Sequence, residues 1–217
     1  MEIRPFTFEV SPSIGTVSGT CMIAEKSKCI ITLAHGAGAG MDHIFMSTLA
    51  SSLSENGIST MRFNFPFAEN KKGRPDLPAV AHKTIEAAIG KAKEFFEGIP
   101  LFIAGKSFGG RMSSQYISLH PDVAVKGIIF YGFPLHPPGK PSVERADHLR
   151  DIQIPMLFLQ GTKDELAKLH LVENLCSSLK QATLIKIEGA NHAFKAGKQN
   201  IIQVLSDATE KWVKNLL

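Results

Sequence analysis

The chain has 217 residues, of which 44% are hydrophobic and 20% are charged, proportions that are ordinary for a globular protein and suit one domain spanning residues 1–217. Its 24 Lys and Arg residues against 20 Asp and Glu residues give a formal net charge of +4. No run of basic residues is longer than Lys71-Lys72, so charge and composition argue against nucleic acid as a partner.

Eight segments along the chain have the composition of β-strands. Two extended segments come first, separated by a Ser-Pro-Ser-Ile-Gly turn. Six further runs are apolar and β-branched, which suits strands that are buried on both faces of a parallel sheet. The predicted strands are residues 6–10, 17–24, 29–33, 58–63, 101–104, 127–131, 156–159 and 183–187.

Amphipathic stretches of helical period lie between the later strands. The predicted helical stretches are residues 45–53, 85–96, 108–120, 165–179 and 201–216. Alternation of strands and helices implies right-handed crossovers. The sequence therefore predicts an α/β fold, with a doubly wound, mostly parallel sheet of about eight strands flanked by helices.

Two polar or proline-rich segments interrupt this pattern. Residues 69–78 are polar and contain Gly and Pro, which favours a mobile surface loop. Residues 132–140 are rich in proline and follow a predicted strand, at the edge where open α/β sheets bind ligands. The connection from Tyr131 to Met156 has room for one short helical piece around residues 143–150, which is too little for an independent apolar lid.

The motif Gly105-Lys106-Ser107-Phe108-Gly109 lies between a predicted strand and a predicted helix. A serine hydroxyl is a weak nucleophile unless a nearby base activates it. A tight strand-to-helix turn would expose Ser107 at the sheet edge, and its flanking positions must be glycine because the turn leaves no room for side chains. The bare G-x-S-x-G pattern is common, and its position between strand and helix favours a nucleophile over a plain loop.

An acid and a histidine follow in the order that this motif requires. Asp164 comes just after the strand at 156–159, and His192 comes after the last predicted strand. Asp164 would hold His192 in one tautomer, and His192 would accept the proton of Ser107. Taken singly, Asp164 could be a helix N-cap and His192 an ordinary loop residue. Five other histidines lie in helical or loop stretches away from strand ends: His82, His120, His136, His148 and His170.

Backbone donors are needed for the negative charge that develops in acyl transfer. We expect the N–H of Phe108 to be one donor. The small residues 36–40, just after the strand at 29–33, suggest Ala37 for the other. Their alternative role as a nucleotide-binding loop lacks the spacing of either glycine-rich phosphate motif. His35 is expected to be a hydrogen-bonded structural residue.

Four cations lie close in sequence to these candidate residues. They are Lys106, Arg111, Lys163 and Lys195. As ordinary surface charges they would point to solvent. Alternatively, they would form a positive rim that favours anionic substrates. Both interpretations remain open from the sequence.

The amino terminus and the cysteines indicate the cellular location of the protein. The first residues lack the basic start and apolar stretch of a signal peptide. No apolar run approaches the roughly 18 residues that cross a bilayer. Cys21, Cys29 and Cys176 cannot all pair, and none is spaced for a metal. We therefore expect a cytoplasmic protein with no membrane partner.

Five segments occur in one order along the chain: HGAGAGMDH, RFNFP, AGKSFGGRM, GTKDE and GANHAF. Together they resemble the lidless α/β-hydrolases related to dienelactone hydrolase, most closely a subgroup that includes a testis-expressed protein and a regulatory subunit of a histone acetyltransferase complex. The resemblance runs from Cys29 to the end of the chain and implies an α/β-hydrolase fold without a large cap. Dienelactone hydrolases carry a cysteine nucleophile, whereas this chain has Ser107.

Two functional hypotheses follow. The first is a serine hydrolase, an esterase or thioesterase of small acyl substrates, in which Ser107, Asp164 and His192 act through an acyl-enzyme without a cofactor or metal. The second is a non-catalytic interaction or regulatory module that keeps the fold, because fold alone does not determine function. An exposed, strained serine with a complete set of partners favours the first.

Overall fold

Eight strands form one sheet in the computed structural model, which describes residues 1–217. The strands are β1 (Glu2–Ser11), β2 (Gly15–Ile23), β3 (Cys29–Ala34), β4 (Ile58–Phe63), β5 (Leu101–Lys106), β6 (Ile128–Tyr131), β7 (Met156–Gly161) and β8 (Ala182–Ile187). The helices are α1 (Ile44–Glu55), α2 (Pro66–Glu69), α3 (Pro78–Phe95), α4 (Phe108–Leu119), α5 (Leu169–Ser178) and α6 (Ile201–Lys214), with a 3-10 helix at Glu144–Asp151. The predicted fold class is confirmed.

The order of strands across the sheet is β1-β2-β4-β3-β5-β6-β7-β8. The hairpin β1–β2 is antiparallel and joins β4, while all neighbours from β4 to β8 are parallel. From β3 the chain moves to β4 on one side and then crosses to β5 on the other. The carboxyl ends of β3 and β5 therefore flank the switch point at which such sheets bind ligands.

Apolar side chains of the central strands alternate between two hydrophobic layers. In β3, Cys29, Ile31 and Leu33 pack in the layer that contains α1 and α6. Ile30 and Ala34 pack in the layer that contains α3, α4 and α5. Successive residues of a strand face opposite layers. Because both layers are apolar, each central strand is a continuous apolar run in the sequence.

Some element boundaries differ from the sequence prediction. Helix α3 begins at Pro78 rather than near residue 85, because proline suits the first turn of a helix. The polar segment 69–78 follows the unpredicted helix α2, and Asp76 accepts a hydrogen bond from the Phe67 N–H at 3.0 Å. Helix α5 begins at Leu169 rather than Glu165, because the residues after Asp164 form a turn.

The 3-10 helix of the connection from β6 to β7 lies against α4. Earlier in the connection, the N–H groups of Phe133 and His136 donate to Gln160 Oε1 and to the Leu166 carbonyl at the carboxyl end of β7. Ala146 and Leu149 of the 3-10 helix are buried. The side chains of Ser114 and His148 hydrogen-bond at 2.7 Å between Oγ and Nε2. This connection therefore provides no cap. No helix of the structure combines the length and hydrophobicity needed to cross a bilayer.

Helix α4 begins in close contact with the two strands beside the switch point. A Cβ added at Gly109 would lie 2.5 Å from the carbonyl oxygen of Ala34 and 2.6 Å from that of His35. Real Cβ atoms do not approach backbone so closely. Gly105 faces the backbone of Gly110 in the same way. Glycine is thus required on both sides of the turn between β5 and α4.

His35 connects the ends of β3 and β4 within the core. Its Nδ1 donates to the carbonyl oxygen of Gly36 at 2.8 Å, and its Nε2 accepts the N–H of Phe65 at 3.0 Å. The ring is fully buried. Burial lowers the pKa of His35 to about 4, against an opposing effect of the bond to Gly36. His35 is a structural residue, as the sequence suggested.

We expect Gly109→Ala to lower the free energy of unfolding by about 2–3 kcal/mol, because its methyl group has no space. Gly90→Ala is the matched control, since Gly90 is exposed within α3 and nothing lies within 4 Å of an added Cβ. That change should stabilise the protein by up to about 1 kcal/mol. Urea unfolding measures both values, and equal stabilities for the two variants would contradict the close packing of α4.

The buried neutral state of His35 predicts a loss of stability in mild acid. Its folded-state pKa lies below its unfolded value, so the unfolded chain takes up the proton first as pH falls below about 6.5. The free energy of unfolding should therefore drop by about 2 kcal/mol through His35 between about pH 7.5 and about pH 5. In His35→Gln this contribution is absent, and the stability gap to wild type should shrink over that range. A constant gap, or a wild-type His35 NMR titration near the ordinary value, would contradict this assignment.

Candidate active site

Ser107 occupies the turn between β5 and α4 in a strained conformation. Its φ is +50° and its ψ is −112°, a region that costs a non-glycine residue about 1–3 kcal/mol. The turn is held because the Ser107 N–H donates to the Tyr131 carbonyl at 3.3 Å and the Arg111 N–H donates to the Ser107 carbonyl at 3.0 Å. The strain places the hydroxyl at the sheet edge, partly open to solvent.

Ser107, His192 and Asp164 form one hydrogen-bonded chain. The His192 Nε2 lies 2.8 Å from the Ser107 Oγ, and the His192 Nδ1 lies 2.7 Å from the Asp164 Oδ2. A carboxylate can only accept, so Nδ1 carries the hydrogen and Nε2 accepts the serine hydroxyl. The Asp164 side chain is 1% exposed and that of His192 is 16% exposed. The structure thus brings together three residues from the ends of β5, β7 and β8.

The Asp164 carboxylate is held by two further donors. The Gln160 Nε2 donates to Oδ2 at 2.6 Å, and the Leu166 N–H donates to Oδ1 at 2.8 Å. Gln160 is itself fixed, because its Oε1 accepts the N–H of Phe133 at 3.0 Å. Gln160 is not among the site residues predicted from the sequence. A polar side chain within the otherwise apolar, buried strand β7 is the signal that could have found it.

Two backbone amides near Ser107, those predicted as oxyanion donors, have no acceptor within the protein. The Phe108 N–H is the first of α4 and has no acceptor within the helix. The Ala37 N–H donates to no group of the protein, while the Ala39 N–H closes the turn onto Gly36 at 3.4 Å. A Cβ at Gly36 would lie 3.8 Å from the Ser107 Cβ, so this loop packs beside the serine.

A cavity of about 320 Å³ opens beside Ser107 and His192. Its apolar lining includes Phe45, Met46 and Leu166. Its volume is at the lower end of the range of small-molecule sites. Larger hollows of about 750 and 670 Å³ lie at the opposite, amino-terminal edge of the sheet. A third, of about 530 Å³, adjoins the cavity at residues 37–39 but is lined by neither Ser107 nor His192. The cavity at Ser107 is therefore the candidate binding site.

The four neighbouring cations do not behave alike. Lys163 and Lys195 are exposed, and Arg111 is partly buried within α4. Lys106 turns inward, and its Nζ donates to the carbonyl oxygen of His192 at 2.6 Å. The interpretation of Lys106 as a solvated surface charge is therefore wrong, because the backbone of the His192 loop provides it with an acceptor.

The chain matches the alpha/beta hydrolase domain family over residues 27–214. Among curated proteins, one from Mycobacterium tuberculosis that is named as a phosphoribosyl transferase is 24% identical over 184 residues, covering 82% of this chain and 40% of that protein. The chain thus spans about two fifths of the length of the curated relatives it matches.

Several solved structures share the whole fold. A dienelactone hydrolase from Anabaena variabilis superposes with a TM-score of 0.80 at 17% identity, covering 100% of both chains. An α/β serine hydrolase homologue from Coxiella burnetii gives 0.76 at 22% identity, covering 99% of this chain and 97% of that one. A serine hydrolase without a lid from Xanthomonas campestris gives 0.75 at 21% identity, covering 98% and 95%. With the family match over most of its length, this chain belongs to the alpha/beta hydrolase domain family.

Proposed function

We propose that this protein is a serine hydrolase that cleaves small ester or thioester substrates through an acyl-enzyme. The observation that carries the proposal is the hydrogen-bonded chain from Ser107 through His192 to Asp164, which begins at a strained serine beside an apolar cavity. Family membership and the hydrolase neighbours support a hydrolase. The proposed identity of the nucleophile and of the substrate class is argued from the geometry of the site.

The first half of the reaction forms the acyl-enzyme. The Ser107 Oγ attacks the substrate carbonyl carbon while the His192 Nε2 takes the hydroxyl proton. The carbonyl oxygen becomes an oxyanion, which the Phe108 and Ala37 amides stabilise by hydrogen bonds. Collapse of the intermediate breaks the bond to the alcohol or thiol, which leaves with the proton from His192.

The second half releases the acid. Water enters the place of the leaving group and loses a proton to the His192 Nε2 as it attacks the acyl carbon. The second tetrahedral intermediate expels the Ser107 Oγ, which recovers its proton from His192. Asp164 stabilises the imidazolium in both halves and keeps the ring in the tautomer that can accept from serine. Ser107 thus forms and releases the covalent bond to the acyl group, and His192 carries each proton of the cycle.

The size of the cavity limits the substrate. About 320 Å³ of mostly apolar space suits a short acyl chain. The 3-10 helix of the connection from β6 to β7 packs on α4 and leaves the site uncovered. A longer chain would extend into water and gain less than the roughly 0.8 kcal/mol that each buried methylene provides. Short acyl groups are therefore the proposed substrates.

The rival role is a non-catalytic interaction or regulatory module that keeps the fold, because fold alone does not determine function. A purely structural domain has no need for a serine held at φ +50° or for a buried carboxylate paired with a mostly buried histidine, both of which cost stability. These features support catalysis over a purely structural role.

A cytoplasmic location is proposed with the function. Cys21, Cys29 and Cys176 are all free and buried. Burial raises the pKa of each thiol to about 12, so these groups remain protonated and unreactive. Free thiols of this kind fit a reducing compartment.

Removal of either proton-transfer partner should abolish most activity on para-nitrophenyl butyrate. We expect Ser107→Ala and His192→Ala each to lower kcat/KM by about 10³-fold or more, and the double variant to be no worse than either, because the groups act as a unit. Ser114→Ala is the matched control, since Ser114 also contacts a histidine but is fully buried. Near-wild-type turnover in a folded Ser107→Ala variant would overturn the proposal.

Activity should fall as the acyl chain grows. Across para-nitrophenyl esters from acetyl to palmitoyl, kcat/KM should be highest for acetyl or butyryl, because the uncovered cavity cannot bury a long chain. Activity should also show no rise when the ester forms an interface. A steady increase of kcat/KM up to palmitoyl would contradict the substrate class while leaving the nucleophile untouched.

A further inference from the structure

The Lys106 side chain is partly buried and lines the candidate binding cavity beside Ser107. Its Nζ donates to the His192 carbonyl oxygen at 2.6 Å and lies 5.1 Å from the centre of the Phe194 ring and 5.9 Å from that of Phe45. Burial lowers the pKa of Lys106 to about 8, against the opposing effects of the Asp164 and Glu165 carboxylates. A charge removed from water in this way needs specific partners.

The Lys106 side chain spans two parts of the site that the sheet holds apart. Its backbone ends β5, directly before Ser107, whereas His192 follows β8, and β6 and β7 lie between those two strands. Gly132, just after β6, leaves space for the Lys106 side chain to reach the His192 loop. A Cβ on Gly132 would lie 3.2 Å from the Lys106 Nζ and 3.6 Å from the His192 Nδ1.

The loop that carries His192 has a strained backbone and is held by aromatic stacking and side-chain hydrogen bonds. Phe194 has a φ of +58°, a left-handed conformation that is unfavourable for a large side chain. Its ring is buried and stacks on Phe45 with 5.7 Å between centres and 12° between planes. The Asn191 side chain accepts the N–H groups of Ala193 and Lys195 at 3.1 and 3.0 Å. Lys106 contacts both the carbonyl of His192 and the ring of Phe194 in this loop.

We propose that Lys106 is a positioning residue that fixes the main chain of His192, and so keeps the His192 Nε2 within hydrogen-bond distance of the Ser107 hydroxyl. The ammonium binds the His192 carbonyl and the face of Phe194 together. The nucleophile and its base are thereby connected by a side chain adjacent to the nucleophile itself. This inference rests on the proposed function.

Lys106→Met tests the inference, because methionine retains most of the length but neither donates nor carries charge. We expect kcat on para-nitrophenyl butyrate to fall by about 10²-fold, as a displacement of about 1 Å in a reacting group can cause, with KM little changed. Lys106→Arg keeps the charge and should recover part of the loss. Lys163→Met is the matched control, since Lys163 likewise precedes a residue of the hydrogen-bonded chain but is exposed; it should leave kcat unchanged.

NMR provides a readout that does not depend on turnover. In the wild type, the low-field Nδ1 proton of the His192–Asp164 bond should be sharp and the Lys106 ammonium protected from exchange. Lys106→Met should broaden the former signal. Should that variant not fold, Lys106→Gln, whose shorter side chain does not reach the carbonyl, replaces it.

The outcomes separate this inference from the proposed function. A folded Lys106→Met or Lys106→Gln variant could retain full kcat while the wild-type activity depends on Ser107. That result overturns the role of Lys106 and leaves the proposed function intact. A wild-type Lys106 ammonium that exchanges freely overturns that role as well. If Ser107→Ala is as active as wild type, the proposed function fails, and the His192 proton signal in Lys106→Met still decides whether Lys106 fixes the loop.

Discussion

The close approach of α4 to β3 and β5 determines the shape of the site. Because Gly105 and Gly109 lack side chains, the first turn of α4 contacts the carbonyl oxygens at the end of β3. The chain between strand and helix then has only one residue in which to reverse, and Ser107 adopts a φ of +50°. That reversal exposes its hydroxyl and leaves the first amide of α4 without an acceptor in the helix. Strain, exposure and donor all follow from one packing contact.

The partners of Ser107 are held by two different kinds of interaction. Asp164 is fixed by neutral hydrogen bonds from Gln160 and the Leu166 amide, within a nearly solvent-free environment. His192 belongs to a loop held by a charged contact from Lys106 and by an aromatic stack at Phe194. A fixed acid and a partly exposed histidine fit their proposed tasks. The acid orients the ring and stabilises the imidazolium, whereas the histidine exchanges protons with substrate and water.

Much of this arrangement could be predicted from the sequence because its determinants are local. Continuous apolar runs and helical stripes indicate where the strands end, and parallel strands bring their carboxyl ends to one edge. The sequence therefore predicts that Ser107, Asp164 and His192 lie near one another, and the structure brings them together. The start of α5 was misjudged, because the Asp164 side chain binds the Leu166 amide and forms a turn where periodicity suggested helix.

The direction of Lys106 could not be predicted, because it depends on residues that are distant in sequence. The space for its side chain comes from Gly132, its acceptor from the backbone of His192, and its aromatic neighbours from Phe45 and Phe194. No local pattern relates these positions. The same holds for Gln160, whose partners are Asp164 and the amide of Phe133. Long-range polar contacts of this kind arise only when the sheet has formed.

The activation of Ser107 is tested most directly by a fluorophosphonate, which reacts with serine only where a base and an oxyanion site are in place. The folded wild-type protein should gain the mass of one adduct, and peptide mapping should place it on Ser107. Urea-unfolded protein and the Ser107→Ala variant should gain none. A folded wild-type protein that stays unlabelled, or an adduct on any other residue, would contradict the account.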